Sequence, residues 1–326
     1  FETAAEVDAR DTDYNTFVLV DESHRSQYGT AHARMRQVLR HACYIGFTGT
    51  PLLKAEKSTA ARFGGFIHKY TMRQAVEDGT VVPLLYEGRL AELSVNQGAI
   101  DEWFARVTRD LTEEQKLDLK RKYSRAEPIQ ETDQRIKMVA FDISEHYRRE
   151  WQGSGFKAQL ATSSKATALR YKHYLDSFGT VRSEVVISAP DTREGHEQVD
   201  DESALPEVQA FWKRMMERYG SEARYNRDII ADFGREDGVE LLIVVDKLLV
   251  GFDEPRNTVL YLDKDLREHG LLQAIARVNR VFEGKEFGHI IDYRGILGEL
   301  NQALDTYNAL EGYDPEDLDG TVTDVS

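Results

Sequence analysis

The sequence predicts an α/β fold: mainly parallel sheets with helices covering both faces. Three observations carry this. Short apolar runs rich in β-formers recur at residues 17–20, 43–47, 156–162, 183–188, 241–245, 258–262 and 287–292. Segments between them place apolar residues at helical spacing, such as Met35, Val38 and Leu39 before His41. Strands that alternate with helices build a parallel sheet with both faces buried.

The chain has 326 residues, enough for about two domains. With 41% hydrophobic and 30% charged residues it carries the core material of a soluble globular protein. No apolar run approaches the ~20 residues of a membrane span, and no basic segment leads into an apolar one at the N-terminus. The single cysteine, Cys43, excludes an internal disulfide framework and fits a reducing cytoplasmic setting. It opens an apolar run, so a packed thiol is expected. A net charge of −15 argues against a protein that coats DNA nonspecifically, although a local groove can be positive on an acidic body. Six acidic residues in 311–326 contribute to the excess and read as a solvated tail.

Phe17-Val18-Leu19-Val20 reads as a strand buried on both faces, and it ends in Asp21-Glu22-Ser23-His24. Ligands of open parallel sheets sit just beyond the carboxyl ends of the strands. Adjacent side chains on an extended backbone diverge, so Asp21 and Glu22 take separate tasks. Asp21 can hold Mg²⁺, and Glu22 can orient or deprotonate an attacking water. On these four residues alone an acidic turn is the commoner reading. A turn at Tyr28-Gly29-Thr30 starts a helix, and the strand after it ends in Thr48-Gly49-Thr50-Pro51. A right-handed crossover brings both polar loops to one rim. Residues 54–65 read as a loop, Thr71–Asp78 as a helix ended by Gly79, and Val81–Tyr86 as extended, with a domain boundary near Pro83. Domain one is therefore 1–85, domain two 86–311, and the tail 312–326. Residues 100–151 read as two or three helices, with Leu111–Lys122 a solvent-facing arm.

A second strand–helix series starts at Phe156. Helices are predicted at Lys165–Phe178, near 205–218 and 222–234, at His269–Arg280 and at Gly295–Leu310, with a loop at Ala189–Ser203. In Gln273-Ala-Ile-Ala-Arg277-Val-Asn-Arg280 the spacings of four and three put Gln273, Arg277 and Arg280 on one helical face. Two arginines on the edge of a buried helix call for an anion, and a nucleotide γ-phosphate suits them. Pro190-Asp191 with Glu283-Gly284-Lys285 suggests a metal nuclease only superficially, since residues 283–285 read as a turn.

Taken in order, Asp21-Glu22-Ser23-His24, Thr48-Gly49-Thr50-Pro51, Gly251-Phe252-Asp253 and Gln273…Arg277…Arg280 resemble motifs II, III, V and VI of superfamily 2 helicases. Phe156–Thr162 is similar to the strand that carries motif IV. More narrowly, Leu248–Pro255 and Asp263–Arg280 resemble the motor subunit of type I restriction enzymes. The resemblance implies RecA-like domains, ATP and Mg²⁺ as cofactors, and double-stranded DNA as the track. It assigns Mg²⁺ to Asp21, water activation to Glu22, and the γ-phosphate to Gln273, Arg277 and Arg280. Gly251 and Asp253 would lie near the nucleotide; Thr48, Gly49, Thr50 and Thr162 would couple hydrolysis to DNA. Methyltransferase and specificity subunits are the implied partners, with no membrane. Ala276 replaces the family's usual glycine. No Gly-x-x-x-x-Gly-Lys-Ser/Thr occurs, and Gly64-Gly65-Phe-Ile-His-Lys69 lacks its spacing and hydroxyl. The expectation is a fragment with an incomplete first domain and poor hydrolysis on its own. A different superfamily 2 helicase, for example in repair, and a non-catalytic interaction module stay open as alternatives.

Overall fold

The structure, a computed structural model, describes residues 13–21, 23, 30–48, 67–68, 70, 72–89, 133–190, 206–249, 251–266, 268–296 and 322–324. Two compact units divide the chain: Phe1–Thr80 with Leu266–Gln273 and Gly298–Thr321, and Val81–Asp265 with Ala274–Leu297 and Val322–Ser326.

In the first unit, β1 (Phe17–Val20) and β2 (Cys43–Gly46) pair in parallel, in register from Phe17↔Cys43 to Val20↔Gly46. The crossover between them contains α1 (Thr30–Val38). It lies on the face that carries Tyr44, whose hydroxyl donates to Leu39 O at 3.0 Å and whose ring sits 4.8 Å beneath the Arg36 guanidinium. Alternate residues point to the other face, and there Phe17 and Leu19 are each 67% exposed. The apolar run is a strand, as its composition predicts, but it is not buried on both faces. Cys43 lies on the same side and is exposed, not packed, because its strand neighbour is the exposed Phe17. Helix α2 (Met72–Glu77) ends at Gly79, whose φ of 68° closes the turn.

The second unit is a seven-stranded, all-parallel sheet. Its strands are β3 (Leu84–Gly88), β4 (Lys157–Thr162), β5 (Ser183–Val186), β6 (Leu241–Val244), β7 (Asn257–Asp263), β8 (Gly288–Asp292) and β9 (Val322–Asp324), ordered β5-β6-β4-β7-β8-β3-β9. Every residue of β4, β6, β7 and β8 is buried. Helix α3 (Asp133–Glu150) contributes Ile136, Val139, Ile143 and Tyr147 to the core, and α4 (Lys165–Phe178) contributes Tyr171 and Leu175. Both meet Leu160, Val185, Ile243 and Tyr261 of the sheet in one apolar cluster. Helix α4 starts where Ser164 Oγ accepts from Thr167 N, and ends at Gly179 with φ 63°. Helices α5 (Pro206–Tyr219) and α6 (Glu222–Phe233) follow β5. Helix α7 (Glu268–Ile275) follows β7 in the chain, and its residues through Gln273 are counted with the first unit.

Three further expectations need correction. Strand β3 pairs with β8, so residues 81–85 belong to the second unit, and the division falls after Thr80. Val322–Asp324, assigned to a solvated tail, add β9 onto β3, with Leu84 opposite Val322. The helix expected to reach Arg280 stops at Ile275. Arg277 N and Val278 N bond back only three residues, to Ala274 O and Ile275 O, and Asn279 O then accepts from Val82 N. Pairing with the residues before β3 draws the chain straight, so the three polar residues do not share a helical face. Of the closing helix expected at Gly295–Leu310, all but its first two residues lie outside the described residues, as do the 54–65 loop, the Leu111–Lys122 arm and Asp191.

Residues 282–285 form the expected turn, closed by Lys285 N→Phe282 O with Gly284 at φ 75°. The Lys285 ammonium is buried and donates to Pro255 O at 3.0 Å and Asn257 O at 2.8 Å. Burial pushes its pKa down to about 7.

Candidate functional site

The first unit laces its two polar loops together. Phe47 N donates to Val20 O at 2.8 Å and Ser23 N to Phe47 O at 3.0 Å, which extends the β1–β2 ladder past both strands. Asp21 is exposed at this rim and Thr48 is half-buried beside it on the chain after β2. The expected meeting of the two loops at one edge therefore holds for Asp21 and Thr48. Glu22, Gly49 and Thr50 lie outside the described residues.

In the second unit the strand β6 runs into the Gly251–Asp253 loop. Gly251 has φ 71°, a conformation that favours glycine, and Phe252 packs its ring 6.0 Å from that of Phe233. Arg277 reaches this loop: Nη1 donates to Phe252 O at 2.5 Å. Arg280 Nε lies 3.4 Å from Asp253 Oδ1, with both side chains largely exposed, so the pair adds orientation more than stability. The segment carrying the arginines is held close to β8. A Cβ on Gly288 would collide with the Val278 carbonyl, so only glycine admits this approach. Arg277, Arg280, Gly251 and Asp253 are thus gathered at one place.

Two expected residues lie differently. Gln273 is buried, at 5% exposure, within α7. Thr162 is fully buried and its hydroxyl donates to Val244 O at 3.1 Å, so it ties β4 to β6.

The sequence pattern did not single out the polar centre at the end of β7. Asp263 is fully buried and accepts from Arg135 Nη1 at 3.0 Å and Nη2 at 2.7 Å, in the bidentate geometry that suits a guanidinium. Arg294 Nε stands 2.8 Å from Asp263 Oδ1, and the Tyr171 hydroxyl donates to Oδ2 at 2.5 Å. Burial, and then the carboxylate, raise the Tyr171 pKa well above its usual value. Asp263 opens the Asp263–Arg280 stretch that carries the family resemblance, which was a signal, but its partners lie far away in sequence.

Each unit has its own donor chemistry: Asp21 and Thr48 of the first offer hard oxygen ligands, and Arg277 and Arg280 of the second offer guanidinium groups suited to phosphate. Among the described residues no three His, Cys, Asp or Glu side chains cluster as a metal site. A Mg²⁺ ion here would be held by one carboxylate, waters and phosphate oxygens, as this ion commonly is.

Parallel sheets covered by helices, with polar loops at the strand ends, define the fold as RecA-like. A model of the SWI2/SNF2 ATPase family matches residues 1–117, and a model of type I restriction enzyme subunit R domain 3 matches residues 154–295. The Haemophilus influenzae type I restriction enzyme HindI endonuclease subunit is 32% identical over 324 residues, covering 91% of this chain and 28% of that protein. A Methanocaldococcus jannaschii protein named for the MjaIXP type I restriction endonuclease subunit is 33% identical over 302 residues, covering 91% and 27%. A solved fragment named for an HsdR subunit of a type I restriction enzyme from Vibrio vulnificus YJ016 superposes with a TM-score of 0.58 at 16% identity, over 99% of this chain and 50% of that one. The chain is a helicase-like relative of the endonuclease (R) subunits of type I restriction enzymes, and it spans little more than a quarter of the length of the curated relatives it matches.

Proposed function

We propose that this chain is the ATP-dependent translocase part of a type I restriction subunit, acting on double-stranded DNA ahead of cleavage by a separate nuclease domain. The observation that carries this is the gathering of Arg277 and Arg280 on the Phe252–Asp253 loop. The assembly of Asp21 and Thr48 at one strand rim supports it.

Bound Mg–ATP would supply the scissile phosphoanhydride and a charge-neutralising cation. Asp21 would hold the cation, directly or through water. Glu22 would orient and deprotonate the attacking water. Arg277 would leave the Phe252 carbonyl and, with Arg280, neutralise charge that develops on the transferred phosphoryl group. Gln273 would assist at the same phosphate. Thr48, Gly49 and Thr50 would link the nucleotide state to movement along DNA. Methyltransferase and specificity subunits would supply site recognition, in a cytoplasmic complex. Among the described residues no helix is long and apolar enough to cross a membrane.

The test is ATP turnover by the complete subunit with and without duplex DNA. Wild type is expected to be stimulated by DNA, while Arg277→Ala retains ATP binding and loses about 10³-fold in turnover. Unstimulated wild type, or an Arg277→Ala variant at normal rate, overturns the proposal.

A further inference from the structure

The corner between β6 and the Gly251–Asp253 loop is a turn that its own residues do not favour. Leu249 N bonds to Asp246 O, which makes Leu248 the third residue of a four-residue turn, and Leu248 has φ 65°. That position with positive φ is ordinarily filled by Gly or Asn. Among the described residues no other non-glycine has positive φ. A strained residue of this sort persists when its surroundings over-determine it.

Two lysines do so. Lys247 Nζ donates to Glu222 Oε1 of α6 at 2.7 Å. Lys264, the first residue after β7, donates from Nζ to Val245 O at 3.0 Å and also to the Asp246 carboxylate. The strand order is β6-β4-β7, so Lys264 reaches over the end of β4 to hold the far strand's loop. Its side chain is 16% exposed. The backbone from which it reaches is fixed in turn by buried Asp263, bound to Arg135, Arg294 and Tyr171. Lys264 also begins the segment that leads to Arg277, and Arg277 docks on Phe252, six residues after the Asp246 that Lys264 holds.

We propose that Lys264 is a positioning residue: it sets the Gly251–Asp253 loop against the arginine segment so that Arg277 meets the nucleotide in register. This rests on the ATPase reading above. It assigns to Lys264 no contact with nucleotide or DNA.

The experiment measures DNA-stimulated ATP turnover in the complete subunit together with hydrogen exchange of the amides at 246–253. Wild-type turnover is the control, and its absence overturns the ATPase reading, not the role of Lys264. Lys264→Met is expected to lower kcat about tenfold or more with KM for ATP within about threefold. Exchange at 246–253 is expected to quicken about tenfold. Lys264→Arg is expected to restore most of both. Asp246→Ala, at a side chain 83% exposed, leaves the fold intact and is expected to fall between wild type and Lys264→Met. The role is overturned if Lys264→Met turns over within twofold of wild type, or if it slows with unchanged exchange. A Lys264→Arg variant as slow as Lys264→Met overturns it too. Should Lys264→Met fail to fold, full-rate turnover by Asp246→Ala overturns it.

Discussion

Phe-Val-Leu-Val in β1 and Leu-Leu-Ile-Val in β6 are nearly interchangeable as sequence, yet their fates differ. Strand β6 lies between β5 and β4, and all four of its residues are buried. Strand β1 pairs with β2 in a two-stranded sheet, and Phe17 and Leu19 stand two-thirds exposed. An apolar run encodes an extended segment that two covered faces would stabilise. Whether both faces are covered depends on neighbours supplied from elsewhere. The same contrast holds for the polar loops: the rim of the first unit is laced by two backbone bonds, whereas that of the second is locked by buried ion pairs and a strained turn.

The largest effect expected on stability is at the buried rim. Asp263→Asn leaves Arg135 and Arg294 beside an uncharged amide in a buried site, and is expected to cost roughly 3–5 kcal/mol in a denaturant titration that follows the second unit. A loss below ~1 kcal/mol would place the charges in effective solvent. Next comes the strand pair itself. Ile243→Ala in β6 is expected to cost roughly 2–5 kcal/mol, against less than about 0.5 kcal/mol for Leu19→Ala in β1. Equal losses would mean that the exposed face of β1 is covered in solution. The smallest is a pH effect. The folded pKa of Lys285 is about 7 against a usual 10.5. Between those values the unfolded chain holds a proton that the folded chain lacks, so stability rises as pH increases from about 7 toward 10.5. In Lys285→Met that portion of the rise should vanish from the pH dependence of the denaturation midpoint; an unchanged slope would show that the ammonium stays charged when folded.

Much of this was legible in the residues. The helix Lys165–Phe178 is bounded as expected because its signals are local: the Ser164 cap and the Gly179 stop. The shared rim of Asp21 and Thr48 follows from the handedness of one strand–helix–strand unit. The end of α7 was not legible, since Val81 and Val82, which draw the chain straight at residues 279–280, lie some two hundred positions earlier. Asp263 was visible as part of a family-like stretch, but its role depends on Arg135, 128 positions away. The strain at Leu248 had no sequence mark, because leucine is a residue that such a turn normally avoids.

The central proposal is that Glu22 and Arg277 both serve the same ATP-hydrolysis step. A double-mutant cycle on DNA-stimulated kcat in the complete subunit tests it most directly. Residues that serve one transition state are strongly non-additive, so Glu22→Gln, Arg277→Ala and the double variant should all fall to about the same residual rate. Losses that multiply in the double variant, or a normal rate in either single variant, would contradict a shared step.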